Sequence, residues 1–218
     1  DIPYDAVLLG SGDRSNPIGT DTDDVFFMIK DINIKTQQFT SDSIPAMPTS
    51  PIKIGDLADY TQNPFGETLT SQQKETLELA VSLKSGWFIE LEQLGEKSTS
   101  SALVINNVVY FTTYTPPSLD VNSITCDLPN GQGWLYAVDL SLGIAKYNWA
   151  DEDQNSTDDR KTFISAQFLG APTLIVTKKV NPDTSVLEPD GNIIVGRKVI
   201  PVGFKLQTLR TYLYVTED

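Results

Sequence analysis

Short apolar runs separated by long polar loops fill most of this chain, and several of the runs carry the period of a strand. Trp87, Ile89 and Leu91 point one way while Phe88 and Glu90 point the other, the two-residue alternation of a pleated segment. Residues 5–31 read as two strands around a loop over 14–23 rich in Gly, Asn, Asp and Thr. Leu103-Val104-Ile105 and Val108-Val109-Tyr110-Phe111 flank Asn106-Asn107. Asparagine tolerates positive φ, so this pair predicts a two-residue hairpin turn. A second hairpin is expected between 137–140 and 145–149 through Ser141-Leu142-Gly143. Pro189-Asp190-Gly191 is expected to turn a strand over 185–187 into one over 193–195. The last strand falls at 208–215, where Tyr212 and Tyr214 alternate with Leu213 and Val215.

One stretch departs from this rhythm. Residues 32–67 hold Pro45, Pro48, Pro51 and Pro64 among many Ser and Thr, and read as a surface excursion with a short strand at 52–54. A helix follows. Thr70 can cap it, Gln73 completes a capping box, and Leu77, Ala80 and Val81 share one face. That stripe is narrow, so the helix is expected on the surface, and Ser85-Gly86 stops it.

The strand pattern also repeats on a larger scale. Val7-Leu8-Leu9-Gly10-Ser11-Gly12-Asp13-Arg14 leads through a polar loop to Asp24-Val25-Phe26-Phe27-Met28-Ile29-Lys30-Asp31. Val108-Val109-Tyr110-Phe111-Thr112-Thr113-Tyr114 leads through another to Gly133-Trp134-Leu135-Tyr136-Ala137-Val138-Asp139-Leu140. Units that recur in this way and cannot bury their faces alone point to an all-β fold, part of a quinoprotein-like β-propeller. At roughly 40–50 residues per blade plus insertions the chain supplies about three blades, with 31–86 as a loop and helix insertion. Closed propellers have about four or more. Residues 1–218 are thus expected to form the C-terminal portion of the domain, with the remaining blades N-terminal to Asp1.

Composition narrows the chemistry. Sixteen basic residues against 29 acidic ones give a net charge of −13, which repels phosphates and makes nucleic acid and anionic membranes poor partners. The chain has no histidine, which removes Ser-His-Asp and Cys-His nucleophile systems and histidine-ligated zinc. No run is long enough to span a bilayer. A chain beginning at Asp1 is expected to be a mature product or an excised fragment. Cys126 is the single cysteine, read either as an unreactive thiol or as one whose partner lies elsewhere.

The candidate cation site is Asp151, Asp153, Asn155, Thr157 and Asp159, at loop positions 1, 3, 5, 7 and 9 of an EF-hand-like pattern suited to calcium. Ser156 stands where that pattern has glycine and Thr162 where it has glutamate, so a solvated acidic loop is the competing reading. Asp13 with Asp21-Thr22-Asp23-Asp24 reads as a polar turn before a strand. Trp87, Trp134, Trp149, Tyr110 and Tyr114 fill space between sheets or line a ligand platform. Gly10-Ser11-Gly12 leads into a polar loop and lacks the helix that a phosphate loop needs. Asn155-Ser156-Thr157 matches a glycosylation sequon.

Taken in order, several stretches resemble the C-terminal region of the PilC/PilY-type proteins of type IV pili. They are Tyr4-Asp5-Ala6-Val7-Leu8-Leu9-Gly10-Ser11-Gly12-Asp13-Arg14, Phe26-Phe27-Met28-Ile29-Lys30-Asp31 and Gly86-Trp87-Phe88-Ile89-Glu90-Leu91. Gly95-Glu96-Lys97, Val109-Tyr110-Phe111-Thr112-Thr113-Tyr114-Thr115-Pro116, Cys126, Gly133-Trp134-Leu135-Tyr136-Ala137-Val138-Asp139 and Arg210-Thr211-Tyr212 follow. The resemblance implies a large secreted protein whose N-terminal region, often von Willebrand factor A-like, precedes a modified propeller. It implies a non-enzymatic role at the pilus tip or outer surface, in assembly and retraction control through minor pilins and in adhesion to host or abiotic surfaces. Loops over 12–24, 41–66 and 116–133 are the expected binding elements. The calcium loop that family members carry early in the propeller has no counterpart in these residues, so its role is not carried over. Two alternatives are a segment of a quinoprotein dehydrogenase propeller using pyrroloquinoline quinone, and a self-contained carbohydrate-binding β module.

Overall fold

The computed structural model describes residues 4–32, 51–65, 69–117, 130–149, 158–180, 185 and 187–205. They are mostly β, arranged as three sheets of three or four strands with one helix. The chain divides into two units, one ending at Pro172 and the other starting at Thr173.

In the first unit, β1 (Asp5–Gly10) pairs antiparallel with β2 (Val25–Asp31), Leu8 opposite Met28. The next strand, β4 (Gly86–Glu90), joins the other edge of β2, and β3 (Ala58–Asp59) adds a short parallel pairing. The second sheet is a consecutive antiparallel meander of β5 (Leu103–Ile105), β6 (Val108–Thr115), β7 (Gln132–Asp139) and β8 (Lys161–Ser165). Asn106 and Asn107 turn β5 into β6 with φ of 47° and 64°, as their short polar side chains allow.

The alternation along β2 sends Phe26 and Met28 inward. Phe26 stacks on Phe111 of β6 at 3.7 Å between centroids, and Phe111 stacks on Tyr136 of β7 at 4.5 Å. One aromatic column therefore joins the two sheets. Trp87 of β4 lies over Tyr60 and donates from Nε1 to the Leu140 carbonyl at 2.7 Å. Gly86 makes the entry to β4 fit. Its φ is +146° and a Cβ there would collide with the Met28 carbonyl oxygen.

The helix, α1 (Ser71–Ser82), has the capping box read from sequence: Thr70 accepts from the Gln73 amide and Gln73 Oε1 accepts from the Thr70 amide. None of its residues is buried, and Leu77 and Val81 lean on the core. Lys30 reaches from β2 to donate to the carbonyls of Val81 and Ser82 in the last turn of the helix.

Three expectations for the first unit are corrected. No strand forms at 52–54; a 3-10 turn (Ile54–Asp56) and then β3 occupy this stretch. Far from being all surface, the excursion buries Leu57, Ala58, Tyr60 and Phe65. The hairpin of 137–140 with 145–149 reduces to one bridge, Val138 to Ala145. The Asp139 carboxylate accepts the amides of Ser141 and Leu142, and β8 takes the rest of this edge of β7.

In the second unit, β9 (Thr173–Val180), β10 (Leu187–Val195) and β11 (Lys198–Lys205) form an antiparallel sheet with β10 central. Pro189-Asp190-Gly191 is not a turn but lies within β10. Pro189 pairs with Lys178 of β9, and the pairing of β10 with β11 carries a bulge between Asp190 and Asn192. The chain turns at Gly196-Arg197, where Gly196 has φ +58°. The strand expected at 208–215 lies outside the described residues.

Candidate functional site

A small cleft opens in the first unit where the end of β4 meets β7 and the start of β8. At its base is Arg160, the last residue of a 3-10 turn (Asp158–Arg160) and only 2% exposed. Its Nη1 donates to the carbonyls of Tyr60 at 2.7 Å and Thr61 at 3.0 Å. Its Nε and Nη2 are buried and have no hydrogen-bond partner among the described residues. Ile89, Tyr136 and Lys161 form the walls, with Thr61. Glu90 and Glu92 stand exposed at the rim. Burial lowers the Arg160 guanidinium from its usual range to about 10 against the opposing pull of Tyr136 and Glu92, so it remains a cation at neutral pH.

A second buried group braces the wall. Glu96 is fully buried, and its carboxylate accepts from Thr113 Oγ1 at 2.5 Å, Tyr136 Oη at 3.1 Å and Lys161 Nζ at 3.4 Å. The Lys161 ammonium also lies 5.2 Å from the Trp134 ring centre and 5.3 Å from that of Tyr136. Burial and the Glu96 carboxylate hold the Tyr136 phenol well above its usual range, so it stays a proton donor. Lys161 is ion-paired with Glu96 and lines the cleft beside Arg160.

Of the sequence-predicted cation ligands, Asp159 is described and is buried, next to Arg160. Asp151, Asp153, Asn155 and Thr157 lie outside the described residues, as do Cys126 and the sequon at 155–157. Among the described residues no group of three or more His, Cys, Asp or Glu is arranged to hold a metal ion.

The acidic stretch before β2 is a turn. Asp24 is buried, accepting from Ser11 Oγ at 2.8 Å and Thr22 Oγ1 at 3.2 Å, with Lys97 Nζ at 3.9 Å. Asp13 accepts the hydroxyl and amide of Ser15, which lower its pKa. The aromatics divide between two roles. Trp87 and Tyr110 are buried, whereas Tyr147 and Trp149 stack half-exposed at 4.8 Å.

Sequence reasoning passed over Arg160, Glu96 and Lys161. Gly95-Glu96-Lys97 stood out only for its resemblance, and Arg160-Lys161 reads as an ordinary charged pair before a strand. No helix among the described residues is long and apolar enough to cross a membrane. Comparison of the chain with family models, with curated proteins and with solved structures found no match.

Proposed function

We propose that this chain is the C-terminal propeller part of a type IV pilus tip protein, acting without catalysis in pilus assembly, retraction control and surface adhesion. The observation that carries the reading is the fate of the two recurrent segments. Each folds as a pair of adjacent antiparallel strands, β1 with β2 and β6 with β7, in two successive four-stranded sheets sharing an aromatic core. Such stacking is what blades require of one another. The edge strand β1 adds support, because it presents Val7 and Leu9 at 49% and 56% exposure, apolar surface suited to a further blade from the N-terminal remainder of the same protein.

On this reading the protein is extracellular, at the pilus tip and associated with the outer membrane. Its partners are minor pilins and a host or abiotic surface. A carbohydrate-binding module is the second reading, favoured by the half-exposed Tyr147–Trp149 stack, whose flat apolar faces suit a sugar ring. Immunogold labelling with antibodies raised against residues 1–218 separates the two. Label at pilus tips supports the proposal. Label spread over the envelope of fully piliated cells, with none on pili, would overturn it.

A further inference from the structure

We infer that the exposed aliphatic patch around the C-terminal end of α1 is the contact face for a second copy of this chain, which meets it across a two-fold axis. Three observations lead there, none of which depends on the pilus reading.

The first is the patch itself. Leu79 in α1 and Leu83 at its C-cap are 66% and 83% exposed and lie four residues apart on one side of the helix. Leu77 and Val81, which lean on the core, are each two residues and so about 200° away. Neither exposed leucine therefore helps to hold the helix on the sheets. Ile54 lies close by, because Lys84 Nζ donates to the Gly55 carbonyl at 2.9 Å and the Ser85 amide donates to that of Asp56 at 3.0 Å. The register that pairs Ile29 with Gly86 continues through the Lys30 amide and the Ser85 carbonyl, and so carries Ile32 toward Leu83. Ile32, Ile52 and Ile54 are each about half exposed.

The second is rigidity. Aliphatic side chains scattered singly over a surface are ordinary, whereas several gathered in one place mark a contact site. Here the Thr70–Gln73 cap fixes one end of α1 and the Lys30 ammonium holds the Val81 and Ser82 carbonyls at the other. The leucines are thus presented on an ordered element, and little ordering cost remains for association.

The third is charge, which selects the occupant. The rim carries both signs, since Lys53 and Lys84 are exposed and so are Asp31, Asp56 and Glu75. Across a two-fold axis every contact is made twice with the roles exchanged, so the lysines of one copy can face the carboxylates of the other. A rim of mixed sign suits such self-pairing better than it suits a partner of one sign. An anionic lipid surface is disfavoured by the net charge of −13. That same charge on both copies opposes their approach at long range, so the apolar centre of the face must hold the pair.

The test is sedimentation velocity of the 218-residue chain over micromolar to submillimolar concentrations, with thermal unfolding of each variant alongside. A concentration-dependent equilibrium between monomer and dimer is expected, and it should tighten as sodium chloride screens the repulsion between copies. Leu83→Glu should weaken the dimer by about ten-fold or more, because the charge enters the centre of the face from both copies at once. Leu94→Glu, at a 71% exposed position in the loop after β4, is the control and should leave the dimer unchanged. If Leu83→Glu disturbs the fold, Leu79→Gln takes its place and should weaken the dimer in the same direction. A chain that stays monomeric throughout would overturn the inference. In that case an unchanged thermal midpoint in Leu83→Glu would leave the patch to a different protein, and a lowered one would mean that the chain's own residues cover it. A dimer that survives both leucine variants, or that Leu94→Glu disrupts, would overturn it equally.

Discussion

Replacing Phe111 with alanine is the sharpest test of how the first unit is held together. Phe111 is fully buried in the central strand β6 and is stacked on both faces, by Phe26 at 3.7 Å and by Tyr136 at 4.5 Å. Truncating a buried phenylalanine costs about 3–5 kcal/mol through lost transfer energy and the cavity left behind. Two stacked partners, each contributing about 0.5–1.5 kcal/mol beyond area, place this site at the upper end of that range. With a urea dependence of about 2 kcal/mol per molar, a loss of about 4 kcal/mol lowers the unfolding midpoint by about 2 M. Tryptophan fluorescence is the assay of choice, because Trp87, Trp134 and Trp149 all precede Pro172 and so report the first unit. A double-mutant cycle with Phe26→Ala then isolates the stack between the sheets, with an expected coupling of about 0.5–1.5 kcal/mol. A loss below about 1 kcal/mol for Phe111→Ala, or no coupling with Phe26, would refute the picture of one aromatic column joining two sheets.

Gly86→Ala should destabilise by about 3 kcal/mol or more, since it combines a positive φ with a collision against the Met28 carbonyl. Gly55→Ala, with nothing within 4 Å of the added methyl, should change the same urea midpoint by no more than about 0.5 kcal/mol equivalent. Glu96→Gln removes the buried partner of Lys161 and should cost about 2 kcal/mol, read as a fall in the thermal midpoint; an unchanged midpoint would mean the cluster contributes nothing to stability. The phenols of Tyr60, Tyr110, Tyr136 and Tyr147 are all held above their usual value, chiefly by burial. The native protein keeps those protons where the unfolded chain releases them, so stability should decline as pH rises past about 10. Arg160, lowered to about 10, acts in the opposite direction between there and the usual guanidinium range, one group against four. Absorbance at the tyrosinate band checks this: part of the signal should appear only with unfolding, and reversible titration of every tyrosine near its usual value would contradict the burial described.

What the sequence disclosed and what it hid follow one physical division. The β1–β2 pair, the Asn106-Asn107 turn and the Thr70–Gln73 cap rest on contacts between near neighbours or on plain alternation, and those leave a local pattern. The segment holding Ala58 is different. It becomes core because it pairs in parallel with Trp87, a partner far along the chain that no local composition announces. Pro189-Asp190-Gly191 carries true turn chemistry, yet it lies within β10, where the pairing with β9 runs through all three residues and the pairing with β11 bulges between Asp190 and Asn192. The cleft was hidden for the same reason. Arg160 is buried by carbonyls from Tyr60 and Thr61, and Glu96 by Thr113 and Tyr136, all brought in by sheet pairing rather than by spacing. The acidic alternation at 151–159, conspicuous in the sequence, meets the described structure only at Asp159.

The most direct test of the central proposal is to delete the coding segment for residues 1–218 in the source cell and count surface pili by electron microscopy, with and without retraction. The account predicts that pili are lost and return when retraction is also disabled. Normal pili together with normal surface attachment would contradict it.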